Sequence, residues 1–462
     1  MKETAFGPVL DNVLEGIGRT PMVKVSRLDT GPCELFLKLE SNNPGGSIKD
    51  RIGLAMIEEA EKSGKLKPGG TIVEATAGNT GLALALIAAQ KGYRLIIVVP
   101  DKMAQEKIFH LKAFGADVRL TRSDVGKGHP EYYQDVAQRI AEETGAFYVN
   151  QFGNPANPKA HETTTGPEIW AQMGEDMHAL VAGVGSGGTI TGLSRFFEKA
   201  APHVEIILAD PAGSILADYV NTGQKPNAVG SWLVEGIGED FIPDICDLSR
   251  VKRAYAIADK ESFEAARELL RREGVLAGSS SGTILAAALK YCRAQTEKKR
   301  VVAFVCDRGD KYLSKMFNDY WMYDQGFLKR PPRGDLTDLI SRKHSEHATV
   351  TVGPDDTLMT AYGRMKLYDI SQLPVLNEDG SLAGIIDEED ILFAVVRERD
   401  KFKEPVKSAM TYRVETLDAA EPMEELLPVF AKGHVAVVMT NGRFEGLITR
   451  TDLLNYLRLQ VA

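Results

Sequence analysis

The sequence predicts an α/β protein with parallel-rich sheets, followed by a smaller duplicated module. Two observations carry this reading. Between Thr71 and Asp210, short apolar runs alternate with amphipathic stretches, the rhythm of βα units that build a parallel sheet with helices on both faces. After a charged, proline-bearing stretch, Lys329 to Asp335, the segment Pro374-Val375-Leu376 to Asp390-Ile391-Leu392 recurs without a gap as Ala436-Val437-Val438 to Asp452-Leu453-Leu454. Each copy runs strand, glycine turn (Gly380, Gly442), strand, helix, the mark of an internal repeat. These shifts divide the chain into a large region at 1–325, a linker at 326–344, a first repeat at 345–400 and a second at 401–462.

The elements follow in order. β-branched and apolar runs predict strands at Thr71–Ala75, Arg94–Val99, Asp117–Thr121, Phe147–Asn150, Ala179–Val184, Val204–Ala209 and Val301–Cys306. Helical spacing of apolar residues predicts helices at Thr80–Lys91, Tyr132–Thr144, Glu261–Glu273 and Gly282–Arg293.

Composition narrows the function classes. The chain has 462 residues, of which 44% are hydrophobic and 26% charged, which is globular rather than disordered. Its 55 basic and 64 acidic residues give a formal charge of −9, against a protein built mainly to grip nucleic acid. There is no run of about 18 apolar residues to span a bilayer and no secretion signal, so a cytoplasmic protein without membrane partners is expected. Cys33, Cys246, Cys292 and Cys306 are widely spaced without a CxxC, which gives neither a disulfide framework nor a zinc site; no metal is expected.

The chemistry begins at Gly45-Gly46-Ser47-Ile48-Lys49-Asp50-Arg51. Pro44 and the glycines make a turn, and Ser47 is placed to cap a helix carrying Lys49 in its first turn. There the positive end of the helix dipole lowers the lysine pKa and frees a nucleophilic amine. Glu74 to Gly81 (EATAGNTG) stands at a strand end and opens a helix, leaving N–H groups for a carboxylate. Gly183 to Thr189 (GVGSGGT) repeats the arrangement and suits a phosphate, while Gly278 to Gly282 (GSSSG) precedes a third helix. Taken singly, each also reads as loop punctuation. Gly183, Gly185 and Gly188 form a G-x-G-x-x-G with Asp210 downstream, but a dinucleotide leaves the Lys49 loop unexplained, whereas a phosphate-bearing ligand accounts for all four segments.

Together, Gly45 to Arg51, Gly78-Asn79-Thr80-Gly81 and Gly185 to Thr189 resemble the pyridoxal-phosphate (PLP) enzymes of the tryptophan-synthase β-like fold, over residues 10 to 320. The resemblance implies a two-lobed, fold type II PLP-dependent core. Asn150 to Pro158 and Thr164 to Glu168 look equally like O-acetylserine sulfhydrylase (cysteine synthase). Gly45-Gly46, Val234 to Pro243 (VEGIGEDFIP) and a tail resembling a tandem CBS (Bateman) module are closer to cystathionine β-synthases.

That resemblance implies a PLP-dependent lyase that condenses serine with homocysteine to cystathionine and water, with hydrogen sulfide release when cysteine replaces serine. Lys49 would hold PLP as a Schiff base and move the α-proton. Asn79 would meet the ring hydroxyl, Gly185, Ser186, Gly187, Gly188 and Thr189 the phosphate, and Ser280 the pyridine nitrogen. Thr76, Ala77, Gly78, Asn79, Thr80 and Gln151 would hold the substrate carboxylate, and Glu235 and Gly236 the second substrate. Ala77 stands where many relatives have Ser, and Glu239 where animal enzymes have Tyr. The chain starts almost at the fold and has Ala200-Ala201-Pro202-His203 in place of a CxxC, so no haem is expected. His161, without His, Cys or Asp flanking it, is expected to be a structural hydrogen-bonder. In the tail, Thr449 and Asp452 keep the Thr-x-x-Asp of adenosyl-binding CBS repeats, while the first copy reads Asp387-Glu388-Glu389-Asp390. Four acids repel a nucleotide phosphate, so S-adenosylmethionine or no ligand is expected there rather than AMP or ATP. A homodimer or higher homo-oligomer is expected. Cysteine synthase is the alternative enzyme, and a catalytically silent scaffold sensing an adenosyl ligand is the alternative of another class.

Overall fold

The computed structural model describes residues 9–461 except 77, 102, 104, 126, 127 and 227, with residue 105 described by its backbone. The chain divides into two compact units, Met1–Phe317 and Asn318–Ala462.

The first unit opens with β1 (Met22–Lys24), β2 (Glu34–Leu39) and α1 (Lys49–Lys62). It continues through β3 (Thr71–Ala75), α2 (Asn79–Lys91), β4 (Arg94–Pro100), α3 (Gln105–Ala113), β5 (Asp117–Thr121), α4 (Tyr133–Thr144) and β6 (Phe147–Tyr148). Next come α5 (Ala156–Ala160), a π-helical turn at His161–Thr165, α6 (Gly166–Gln172), β7 (Ala179–Gly183), α7 (Gly188–Ala200), β8 (Glu205–Pro211) and α8 (Leu216–Thr222). Then β9 (Val251–Ile257), α9 (Asp259–Glu273), α10 (Ser279–Arg293) and β10 (Arg300–Val305) complete it.

Two sheets define two lobes. One has the order β5-β4-β3-β6 and is wholly parallel. The other has the order β1-β2-β10-β7-β8-β9, parallel except where β1 pairs with β2. Parallel strands are buried on both faces, which is why β3, β4, β7 and β10 read as continuous apolar runs. α2 is packed all round, so Thr80 to Ala88 are buried without a break, whereas α4 buries only Ala137, Ile140 and Ala141.

Several boundaries differ from expectation by a residue or more, and two of them bear on the site. The strand at Phe147 stops at Tyr148, because Asn150 turns to φ +49° and its carbonyl accepts the N–H groups of Gly153 and Asn154. The serines do not precede the third helix: α10 begins at Ser279, so Ser279, Ser280 and Ser281 are its first turn.

The second unit comprises α11 (Asp319–Asp324), α12 (Leu358–Tyr368), β11 (Gln372–Leu376), β12 (Leu382–Asp387), α13 (Glu388–Val395), β13 (Thr416–Asp418), α14 (Leu426–Ala431), β14 (Ala436–Thr440), β15 (Arg443–Ile448) and α15 (Arg450–Val461). β11–β12 and β14–β15 are antiparallel hairpins at the repeated positions. Pro331 to Gly334 are exposed, while Leu336, Leu339 and Ile340 are buried with Phe430 and Ile448 in the second repeat's core. Among the described residues no helix is long and apolar enough to cross a membrane.

Candidate active site

Four helices of the first unit start at one cavity of about 250 Å³. Lys49 opens α1, Asn79 opens α2, Gly188 opens α7, and Ser280 lies in the first turn of α10; all four line the wall. Parallel βα units put helix N-termini at the strands' carboxyl ends, and converging positive dipole ends favour an anion. α2, α7 and α10 lack a side-chain N-cap, which leaves backbone donors for a ligand.

Lys49 is held from behind. Ile48 donates its N–H to the Cys306 carbonyl (2.8 Å), and Ser47 Oγ accepts the Lys49 N–H (3.2 Å). Ser47 is therefore one residue further out than an ordinary cap: Ile48 occupies the cap position in helical conformation, and the helix starts at the lysine itself. Two residues on, buried Arg51 forks onto buried Glu40 (2.7 and 2.8 Å) and onto Glu168 (2.8 and 2.7 Å), which anchors the first turn. The Arg51 bridges hold the Glu168 carboxyl down at about 2 despite partial burial. Burial lowers the Lys49 pKa, opposed by Cys306, Glu239 and Asp307. The Lys49 amine has no hydrogen-bond or ion-pair partner among the described residues, which suits a nucleophile or base.

Gly185, Ser186, Gly187, Gly188 and Thr189 all line the cavity. Gly187 has φ +84°, and a Cβ there would lie 2.4 Å from that of Cys246, so only glycine makes this turn. Asn157 Nδ2 donates to Ser186 Oγ (3.0 Å), and Thr189 Oγ1 pairs with His161 Nε2 (3.1 Å). Facing this loop, Thr76, Gly78, Thr80 and Gln151 line the same cavity. Thr80 donates to Gln151 Oε1 (2.7 Å), which directs the Gln151 amide N–H groups away from that bond. Ala77 lies outside the described residues.

Asn79 is oriented by two groups that sequence reasoning missed. Its Nδ2 donates to Asp307 Oδ2 (2.9 Å) and its Oδ1 accepts from Lys311 Nζ (2.7 Å), while Tyr312 also donates to Asp307 (2.8 Å). Asp307 follows an apolar strand, as Asn79 follows β3, and that shared strand-end position was the available signal. Glu235 is placed differently from the other candidates. It sits in an adjoining cavity of about 280 Å³, ion-paired to Lys107 and to Lys315 (2.7 Å), while Gly236, Gln151, Thr76 and Gly78 line both cavities. Glu239 does face the Lys49 cavity, and burial, helped by Asp240, raises its carboxyl to about 8.

In the second unit, Thr449 and Asp452 line a cavity of about 550 Å³ with Ser341, Arg342, Asp369 and Thr451. The Asp452 carboxylate accepts from the Thr449 N–H (2.7 Å) and hydroxyl (2.6 Å) and from Ser341. The Asp387 to Asp390 run is absent from this wall; Asp387 and Asp390 cap each other across the start of α13. Among the described residues no cluster of three or more His, Cys, Asp or Glu is arranged to hold a metal.

An unpaired amine opposite a glycine cradle at a helix N-terminus fits an aldehyde coenzyme bearing a phosphate. Fold and site together define a pyridoxal-phosphate dependent enzyme. The family model of that description matches residues 13–307, and the CBS domain model matches 340–397 and 406–459. Cystathionine beta-synthase of Mus musculus is 37% identical over 93% of this chain and 78% of its own length. That of Saccharomyces cerevisiae is 38% identical over 82% and 80%. The chain belongs to the cystathionine beta-synthase family. Among solved structures, an O-ureido-L-serine synthase aligns at TM-score 0.63 and 33% identity, over 68% of this chain and 100% of its own. A hydrogen sulfide-producing enzyme from Fusobacterium nucleatum aligns at 0.61 and 36%, over 67% and 99%.

Proposed function

We propose that this chain joins serine to homocysteine, releasing water and forming cystathionine. The carrying observation is Lys49, without a partner among the described residues and lining one cavity with the Gly185–Thr189 cradle. Pyridoxal phosphate, when bound, supplies an electron sink for charge at the substrate α-carbon. Gly185 to Thr189 hold its phosphate, Asn79 its ring hydroxyl and Ser280 its ring nitrogen, so the ring is fixed at three points. Ser280 offers a hydroxyl rather than a carboxylate, which keeps the sink weak and favours prompt loss of the β-substituent.

Thr76, Thr80, Gln151 and the start of α2 hold the serine carboxylate. Lys49 takes the α-proton, and that proton leaves with the β-hydroxyl as water. Lys49 next accepts the homocysteine thiol proton as the sulfur bonds to the β-carbon that lost the hydroxyl, and delivers that proton to the α-carbon. Glu235 orders the second substrate through Lys107, its ion-pair partner in the adjoining cavity. Cysteine in place of serine releases hydrogen sulfide by the same proton movements, a reading favoured by the likeness to the Fusobacterium enzyme. In the tail, Thr449 and Asp452 hold an adenosyl ligand. Arg342, Asp369 and Asp452 leave that cavity net negative, which suits S-adenosylmethionine better than ATP.

The test offers serine or O-acetylserine with homocysteine or sulfide and compares kcat/KM. Serine with homocysteine should win; a preference for O-acetylserine with sulfide would make this a cysteine synthase, and no turnover with any pair would leave the silent scaffold.

A further inference from the structure

The π-helical turn at His161–Thr165 lies against α7 at the phosphate cradle, and such turns recur at functional sites. His161 and Thr165 are buried, at 1% and 0% exposure. His161 Nδ1 lies 2.9 Å from Thr165 Oγ1 and Nε2 lies 3.1 Å from Thr189 Oγ1. The approach is built in: a Cβ on Gly192 of α7 would fall 2.8 Å from the His161 Cβ and 2.2 Å from the Pro158 carbonyl.

The directions of these bonds follow from satisfiability. Thr165 Oγ1 has no other partner among the described residues, so if it accepted from Nδ1–H its own buried proton would be stranded, which is costly. Thr165 therefore donates to Nδ1, which puts the ring proton on Nε2. Nε2–H then donates to Thr189 Oγ1, and the Thr189 proton is free to point into the cavity. Burial, reinforced by the Arg51 and Lys49 charges, holds the His161 pKa well below the ordinary value, so the ring stays neutral.

We propose that Thr165, His161 and Thr189 form a one-way hydrogen-bond relay ending on the cofactor phosphate, with His161 as a positioning residue. This rests on the reading of Gly185–Thr189 as the phosphate site. Each bond polarises the next, so the terminal hydroxyl meets the dianion as a strengthened, fixed donor.

The test uses the full chain loaded with pyridoxal phosphate and labelled with 15N-histidine. The wild type should show His161 with a protonated Nε2 and a bare Nδ1. His161→Phe should weaken retention of the cofactor about tenfold, about 1.4 kcal/mol, and move its 31P resonance, while the visible band of the Lys49-linked cofactor persists. Thr165→Val should move both readouts less, in the same direction, and His161→Gln should restore part of the loss. A proton on Nδ1 overturns the relay, as do variants with wild-type retention and an unmoved 31P resonance. If His161→Phe does not fold, Thr165→Val and the wild-type tautomer decide. A wild type that yields no bound 31P signal topples the cofactor site, and the relay with it.

Discussion

The helix N-termini at the Lys49 cavity and those that follow the second strand of each tail hairpin are finished in opposite ways. α2, α7 and α10 carry no side-chain cap, whereas α13 closes on itself through Asp387 and Asp390 and the start of α15 is tied by Thr449 and Asp452. An absent cap costs about 1 kcal/mol per helix. α4, α8 and α9 also lack a side-chain cap, so what sets α2, α7 and α10 apart is that their open donors meet at one cavity. At the starts of α13 and α15 the donors are consumed internally, and of the capping side chains Thr449 and Asp452 face the tail cavity. The catalytic cavity thus offers open backbone donors beside its side chains, and the tail cavity offers the side chains of Thr449 and Asp452.

The largest expected effect falls on the one side chain in the catalytic cavity that no backbone donor replaces. Lys49→Ala should lower kcat/KM by at least about a thousandfold and abolish the visible band of the lysine-linked cofactor. Titration of the same variant with S-adenosylmethionine should give unaltered heats, since Thr449 and Asp452 are untouched. Turnover within tenfold of the wild type would break the assignment of Lys49.

Arg51 separates position from chemistry. Arg51→Met strands buried Glu40 without a counter-charge, and breaking such a pair costs about 3–5 kcal/mol. Calorimetry of the full chain should show the first unit's transition falling and the tail's unmoved. A shift below about 1 kcal/mol would mean the network is ornamental and Lys49 is placed by the Ser47 and Cys306 contacts alone.

How far these features were legible in the sequence follows the same division. Lys49, the GNTG turn and the Gly185–Thr189 loop were readable because each is a short contiguous string whose chemistry is local. Asp307, Lys311 and Lys107 were not, since each reaches the site from an element remote in sequence: Lys311 meets Asn79 across 232 positions. Glu235 lines the adjoining cavity and meets lysines rather than open solvent, because nothing in VEGIGED shows what faces it. The serines were misplaced by one turn because Gly278, in extended conformation with ψ 177°, stops the preceding loop before Ser279 rather than after Ser281. β3, β4, β7, β8 and β10 were found because burial on both faces makes an apolar run that propensity alone detects, whereas β1, β2 and β9 were not, β1 and β9 carrying exposed residues.

Acid–base behaviour sharpens the contrast further. Burial raises Glu74 to about 8, against donors from Ala75, Asn150 and Gln151, and raises Asp50 to about 7. A carboxyl with a raised folded pKa binds its proton more tightly in the folded chain. Its contribution to stability therefore declines as pH climbs from about 4.5 to about 8. The first unit's Tm should fall across that window more than the tail's. Glu74→Gln should recover on the order of 1–3 kcal/mol at pH 9 and little at pH 5. An equal gain at both values would show that packing, not charge, is responsible.

The smallest effect tests the two tail copies against each other. Asp452 gathers two Thr449 donors and Ser341 at the cavity wall, so Asp452→Ala should weaken S-adenosylmethionine about tenfold, the worth of one charge-assisted hydrogen bond. Asp387→Asn keeps an N-cap acceptor for the Asp390 N–H and removes one of four charges that do not line that cavity, so the same titration should change less than twofold. ATP should bind neither variant nor the wild type at micromolar concentration. If Asp387→Asn opened the tail to ATP, the charge run rather than the closed capping box would be what sets the first copy apart, and the rule that capped termini recognise through their caps would hold for one repeat only.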